Sequence, residues 1–167
     1  MTDAIRDAIK GASSYLTEHP DEARYTDSLA TARVEDGLRI RVDGPNGETL
    51  STDMPGAVGG GGAAPSPGWF LRAAVAACVT SLAVMRAAQL GIEDFTCEVE
   101  VDSESDDRGI LGLDASVPGG PLSMRIGFRL TGAPSDRLGE IAQWAVEHCP
   151  VSDAVRRAVP VSIELLV

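Results

Sequence analysis

Aromatic side chains are scarce in this 167-residue chain: two tryptophans, two tyrosines and three phenylalanines. Alanine, valine, leucine and isoleucine must therefore fill its interior, and a hydrophobic fraction of 44% suffices for one ordinary globular core. Positive charge is scarce too. A net charge of −11 repels phosphate backbones and anionic lipid, which argues against nucleic acid and membrane as partners. Long apolar runs are missing. The longest uncharged stretch of the helix expected over 67–90 is residues 73–85, short of the roughly 20 residues that span a bilayer. The first 27 residues are polar and carry no apolar signal core, so a cytoplasmic protein is expected. Cysteine is limited to three residues, an odd number that excludes a simple disulfide framework. No His, Cys, Asp and Glu cluster has zinc-site spacing, no Gly-Lys-Ser/Thr follows the glycine run at 59–62, and no nucleophile elbow surrounds a serine. Neither a metal nor a cofactor is expected.

What is present has a clear order. Ile5, Ile9, Ala12 and Leu16 recur at helical spacing until Pro20, predicting a first helix with one narrow apolar stripe, suited to packing on another element or a partner subunit. Residues 26–51 alternate between apolar and polar. Turn signals at Asp36-Gly37 and at Gly44-Pro45-Asn46-Gly47 divide them into three short antiparallel strands. The stretch 55–68, with four consecutive glycines, reads as a flexible connector or a mobile cover. Ser66 or Pro67 then opens a helix of about six turns. Strands are expected over 95–103 and 122–131, with a turn at Asp106-Asp107-Arg108-Gly109 between them. A helix capped by Ser135 runs to His148, Pro150 starts a short second helix, and 161–167 closes as a strand. This order is not the alternation of a parallel sheet. It predicts an α+β fold with antiparallel strands around a long helix.

Two cysteines stand in contrasting helical settings, 71 positions apart, so they form no CxxC motif. Cys149, in His148-Cys149-Pro150-Val151, lies at a helix start, where unpaired N–H groups and the helix dipole favour a thiolate. His148 is a candidate proton relay, although adjacent residues seldom face one way. Cys78 lies among alanines, and Cys97 on the inward side of a strand. Taken alone, each also reads as core packing, since free cysteine is among the most buried residue types. By local electrostatics Cys149 is the more reactive thiol.

Pro65-Ser66-Pro67-Gly68, followed by Leu71-Arg72-Ala73-Ala74-Val75-Ala76-Ala77-Cys78, resembles the central-helix signature of the OsmC/Ohr family. His148-Cys149-Pro150-Val151-Ser152-Asp153, followed by Arg156-Arg157 and Val159-Pro160-Val161, resembles the family's second cysteine motif. The similarity runs from about Asp27 to the C-terminus and includes the Asp107-Arg108-Gly109 turn. It divides the chain into an N-terminal helical extension, 1–25, and an OsmC-like domain, 26–167. The resemblance implies an intertwined homodimer, its strands wrapped around two packed central helices, that reduces organic hydroperoxides at the expense of a dithiol reductant. It makes Cys78 the attacking thiol and Cys149 the resolving one, the reverse of the local ranking. It also implies an arginine beside the reactive thiolate, for which Arg39 is preferred over Arg33 and Arg72. Members of the Ohr type carry a glutamate ten positions before the first cysteine to orient that arginine, and this chain has Gly68 there, with no acidic residue between Asp53 and Glu93. A thiol peroxidase and a non-peroxidatic protein that binds or senses a thiol-reactive ligand are the two readings carried forward.

Overall fold

The computed structural model describes residues 2–166. In chain order the elements are α1 (Thr2–Glu18), β1 (Thr31–Asp36), β2 (Arg39–Asp43), β3 (Thr49–Thr52), α2 (Pro67–Gln89), β4 (Thr96–Glu104), α3 (Asp107–Ile110), β5 (Ser123–Thr131), α4 (Ser135–His148) and α5 (Pro150–Arg157). They fall into two compact units, one of residues 11–73 and one of residues 2–10 with 74–166.

In the first unit β1, β2 and β3 form an antiparallel meander, with Val34 opposite Ile40 and Ile40 opposite Thr52. The alternation read from the sequence is what sets this register, because a one-residue slip would turn every side chain to the other face. Past β3 the chain folds around Asp53, which is only 3% exposed. Its carboxylate accepts hydrogen bonds from the N–H groups of Met54 (2.8 Å), Gly61 (3.3 Å) and Ala63 (3.0 Å), and its own N–H donates to the carbonyl of Pro65 (3.2 Å). The glycine run is thus a tied-down loop, where the sequence suggested a flexible connector. A Cβ on Gly60 would lie 1.9 Å from the Met54 carbonyl oxygen, so the close approach needs glycine there.

The second unit is built on α2. Val75, Val79, Ala83 and Ala87 recur every fourth residue and bury one stripe of the helix against Ile141, Ala145 and Cys149. Fully burying a Val- or Ile-sized side chain stabilises by about 1.5–3 kcal/mol. β4 and β5 pair antiparallel, with Val99 opposite Phe128, and lay Cys97, Val99, Val101, Met124, Ile126 and Phe128 on this cluster. Their outer face carries cross-strand ion pairs, among them Arg129 with Glu98 (2.9 Å). Arg86 ties α2 to α4 by donating from Nε to Glu140 (2.8 Å), with its guanidinium over the Trp144 ring. On α1, Ile5 lines an apolar recess with Val84, Ala87, Ile92 and Phe95, while Leu16 remains exposed.

Three local expectations are corrected. Ser135 is the first residue of α4, behind an N-cap at Pro134 that makes no side-chain cap bond. The 106–109 turn is a short helix, because the Asp106 carboxylate accepts the Arg108 N–H at 3.0 Å and nucleates it. The strand expected over 161–167 does not form. Residues 159–166 have no regular structure and Ile163 is 97% exposed, while Val167 lies outside the described residues. A strand exists only through ladder partners, and neither sheet of this chain pairs with the segment.

Candidate active site

The spacing that buries Val75 and Val79 leaves Cys78 on the edge of the same stripe, half-buried. Cys149 arrives from the junction between α4 and α5. Pro150 cannot continue α4 but suits the first turn of α5, so Cys149 is held extended (φ −74°, ψ 114°) as the N-cap of α5. Its Sγ accepts the Ser152 N–H at 3.3 Å and is wholly buried. The fold packs Cys78 against the core cluster that contains Cys149, near enough for each sulfur to influence the other's ionisation. The Val151 N–H favours the thiolate form of both sulfurs.

The pair is electrostatically unequal. Burial pushes Cys78 above the ordinary thiol value, and the neighbouring Cys149 sulfur raises it further, against the smaller opposing effect of the Val151 N–H. Burial also acts upward on Cys149, as its largest single influence. The Ser152 hydroxyl and N–H, the Cys78 thiol and the Val151 N–H together outweigh it and leave Cys149 below the ordinary value. Cys97 packs on the same core, raised by burial against a hydrogen bond with Thr80. His148 turns away from Cys149. Its ring stacks on Trp144 at 4.1 Å and its Nδ1–H donates to the Trp144 carbonyl (2.9 Å). It is a helix-terminal surface residue, not a relay.

Of the three candidate arginines, Arg33 pairs with Asp43 (3.1 Å) and Arg39 with Glu35 (3.1 Å), both in the meander unit. The charge of Arg39 helps to lower the carboxyl of Asp53. Arg72 lies on α2, with Nη1 at 3.9 Å from the point where a Cβ on Gly68 would sit. Sequence reasoning missed two residues. Ser152 was legible as the third helical position after a cysteine N-cap, the place that bonds a capping side chain. Asp53 carried no local signal, because its partners lie up to ten residues ahead. Among the described residues no group of three or more His, Cys, Asp or Glu could hold a metal ion. α2 is long and apolar enough to cross a membrane by length and composition, with a mean hydropathy of 1.6, but Val75, Val79, Ala83 and Ala87 serve the core described above.

The family model described as OsmC-like protein matches residues 59–164, a span containing both cysteine motifs. No curated protein sequence matches. Several solved structures do. An organic hydroperoxide resistance protein OsmC from Legionella pneumophila is 25% identical, with 80% of this chain and 91% of that one covered and a TM-score of 0.54. An OsmC-like protein from Mycoplasma pneumoniae is 12% identical, covering 80% and 89%, with a TM-score of 0.66. An organic hydroperoxide resistance protein from Elizabethkingia anophelis is 19% identical, covering 80% and 90%, with a TM-score of 0.58.

Proposed function

The chain belongs to the OsmC-like protein family, and from that premise we propose that it is a thiol peroxidase reducing organic hydroperoxides through Cys78 and Cys149. The observation that supports this reading is that the two thiols, 71 positions apart in sequence, pack into one core cluster. Cys78 is the partly accessible member and so meets the peroxide, while the buried Cys149 meets only Cys78. The Cys78 sulfur attacks the peroxide oxygen, the O–O bond breaks, an alcohol leaves, and Cys78 becomes a sulfenic acid. Cys149 then attacks the Cys78 sulfur and displaces its hydroxyl to form a disulfide. A dithiol reductant restores both thiols by exchange. Arg39, the arginine the resemblance assigns to the reactive thiolate, pairs with Glu35 in the meander unit. The names of the Legionella and Elizabethkingia proteins support the substrate class.

The working unit in this reading is a cytoplasmic homodimer. Ala74, Ala77 and Ser81 form an exposed small-residue stripe along α2 that lets a second helix approach closely. Two observations favour the alternative of a non-peroxidatic protein that binds or senses a thiol-reactive ligand. Cys78 is shifted toward the protonated form, and Gly68 supplies no carboxylate at the start of α2. The deciding experiment is to treat the reduced protein with cumene hydroperoxide and map its disulfides by mass spectrometry. A Cys78–Cys149 bond with stoichiometric alcohol release is expected, and loss of both in Cys78→Ser. Free thiols, or a bond through Cys97, would reject the peroxidase.

A further inference from the structure

The C-terminal end of α2 carries a recess that the thiol chemistry does not use. There the helix closes in a Schellman turn. The N–H of Gly91, which lies in the left-handed region (φ 72°), donates to the Ala88 carbonyl (3.0 Å), and the Ile92 N–H donates to the Ala87 carbonyl (3.0 Å). A hydrophobic contact between the positions of Ile92 and Ala87 frequently accompanies this turn. Here alanine stands at 87 and again at 88, so the contact is thin. A cavity of about 190 Å³ remains, walled by Val84, Ala87 and Ala88 of α2, by Ile92 and Phe95 ahead of β4, and by Ile5 of α1.

The helix α1 closes this space without filling it. None of its residues is buried, while Thr2, Ile5, Arg6 and Ile9 are half-buried along one stripe. Arg6 Nη1 lies 3.9 Å from the point where a Cβ on Gly91 would sit, which places the first turns of α1 over the end of α2. Two polar residues complete the lining, Thr2 and Glu93. No other lining residue ionises. Glu93 is exposed, so its carboxylate belongs to the mouth of the recess rather than its floor. The neighbouring Arg6 is paired with Asp3.

An apolar cavity of about 150 Å³ stays dry and takes up a guest of benzene size, because the guest supplies the dispersion contacts that the walls lack. The recess under α1 is of that class, with one anion at its mouth. We propose that it is a binding site for a small aromatic or branched-alkyl molecule bearing a protonated amine or, less tightly, a hydroxyl. The apolar part fills the space between Ile5, Ala88 and Ile92, and the polar group reaches Glu93. The same carboxylate disfavours an anionic guest. This site is separate from the thiol pair, since Ala88 lies ten residues beyond Cys78 on one helix, roughly 15 Å along its axis. The N-terminal helix, outside the matched family span of 59–164, thereby acquires a role, because it supplies one wall.

Benzylamine, benzyl alcohol and benzoate share one ring and differ in charge. Each is titrated at millimolar concentration into the full reduced chain, labelled with carbon-13 at the Ile, Val and Ala methyls and read by NMR. Benzylamine is expected to shift the methyls of Ile5, Val84, Ala88 and Ile92 and to leave those of Val75 and Val79, in the cluster with Cys149, in place. Its dissociation constant should lie about threefold below that of benzyl alcohol, the weight of one exposed ion pair, and benzoate should bind more weakly than either. Glu93→Gln should bring benzylamine and benzyl alcohol level. Ile5→Trp, made on a helix with no buried residue, should fill the recess and abolish binding of all three probes. If Ile5→Trp does not fold, Ala88→Leu, which fills the same space from α2, must do so instead. No shift at these methyls, shifts centred on Val75 and Val79, benzoate binding as tightly as benzylamine, or an unchanged preference in Glu93→Gln overturns the proposal. None of these outcomes bears on whether a hydroperoxide joins Cys78 to Cys149, so the site and the peroxidase reading stand or fall separately.

Discussion

Asp53 gathers three backbone N–H groups onto one buried carboxylate, and the shape of the glycine loop follows from that. The Ala63 N–H is the strongest influence keeping its carboxyl below the usual range. Met54, Gly61 and the charge of Arg39 add to it against the desolvation that burial imposes. A carboxyl depressed in the folded state contributes stability that is fully present above its unfolded value of about 3.9 and fades as pH falls through the lower folded value. Asp53→Asn is therefore expected to lower the urea midpoint at neutral pH and to close the gap with wild type as the pH falls below about 4. Parallel denaturation series at neutral and acid pH check this. A gap that stays constant with pH would show that the charge of Asp53 does nothing. The residue scale also holds the inequality of the two thiols, which arises from where α5 starts rather than from any charged neighbour.

At the scale of the element, α2 begins with Pro67-Gly68 and has no acid in its first turn. A Cβ at position 68 would meet Arg72 Nη1 and Ser66 Oγ at 3.9 Å, ordinary contact distance, so a side chain fits. Gly68→Glu places a carboxylate at the positive end of the helix dipole and four residues before Arg72, contributing about 0.3–1 kcal/mol from the dipole and less from the pair. A small rise in melting temperature is the expected result. Under the peroxidase reading the same variant should raise the hydroperoxide rate at neutral pH, by orienting an arginine over the thiolate. Stopped-flow measurement of thiol oxidation reads that rate. An unchanged rate, with Cys78 titrating as an ordinary thiol in both proteins, would make the binding or sensing protein the better account.

At the scale of the molecule, a single chain leaves apolar surface that it has no means to cover. Ala74 and Ala77 face outward from α2, and Val161, Ile163, Leu165 and Leu166 are exposed beyond α5. Such surface marks an interaction site in a stable protein. Sedimentation at micromolar concentration should report a dimer. Ile163→Glu with Leu165→Glu should shift it toward monomer without loss of far-ultraviolet helix signal. A folded wild-type monomer at that concentration would remove the dimer from the reading.

The helices and strands were legible because their causes are local. Pro67 and Pro150 mark helix starts wherever the chain goes, the alternation from Cys97 to Val101 can serve only a half-buried strand, and Ile141 and Ala145 repeat at helical spacing. The sequence by itself therefore determined the α+β order of elements and, through its two cysteine motifs, the pair of thiols worth watching. The 161–167 strand was misread because alternation states what a strand would bury, not whether a partner edge exists. Three matters were left to the tertiary structure: that Cys78 and Cys149 pack into one core cluster, that Asp53 closes the glycine loop, and that the Ser152 N–H donates to the buried Cys149 sulfur. Each depends on groups brought together through space, where burial and hydrogen bonding set the protonation of a thiol and no spacing along the chain records the approach.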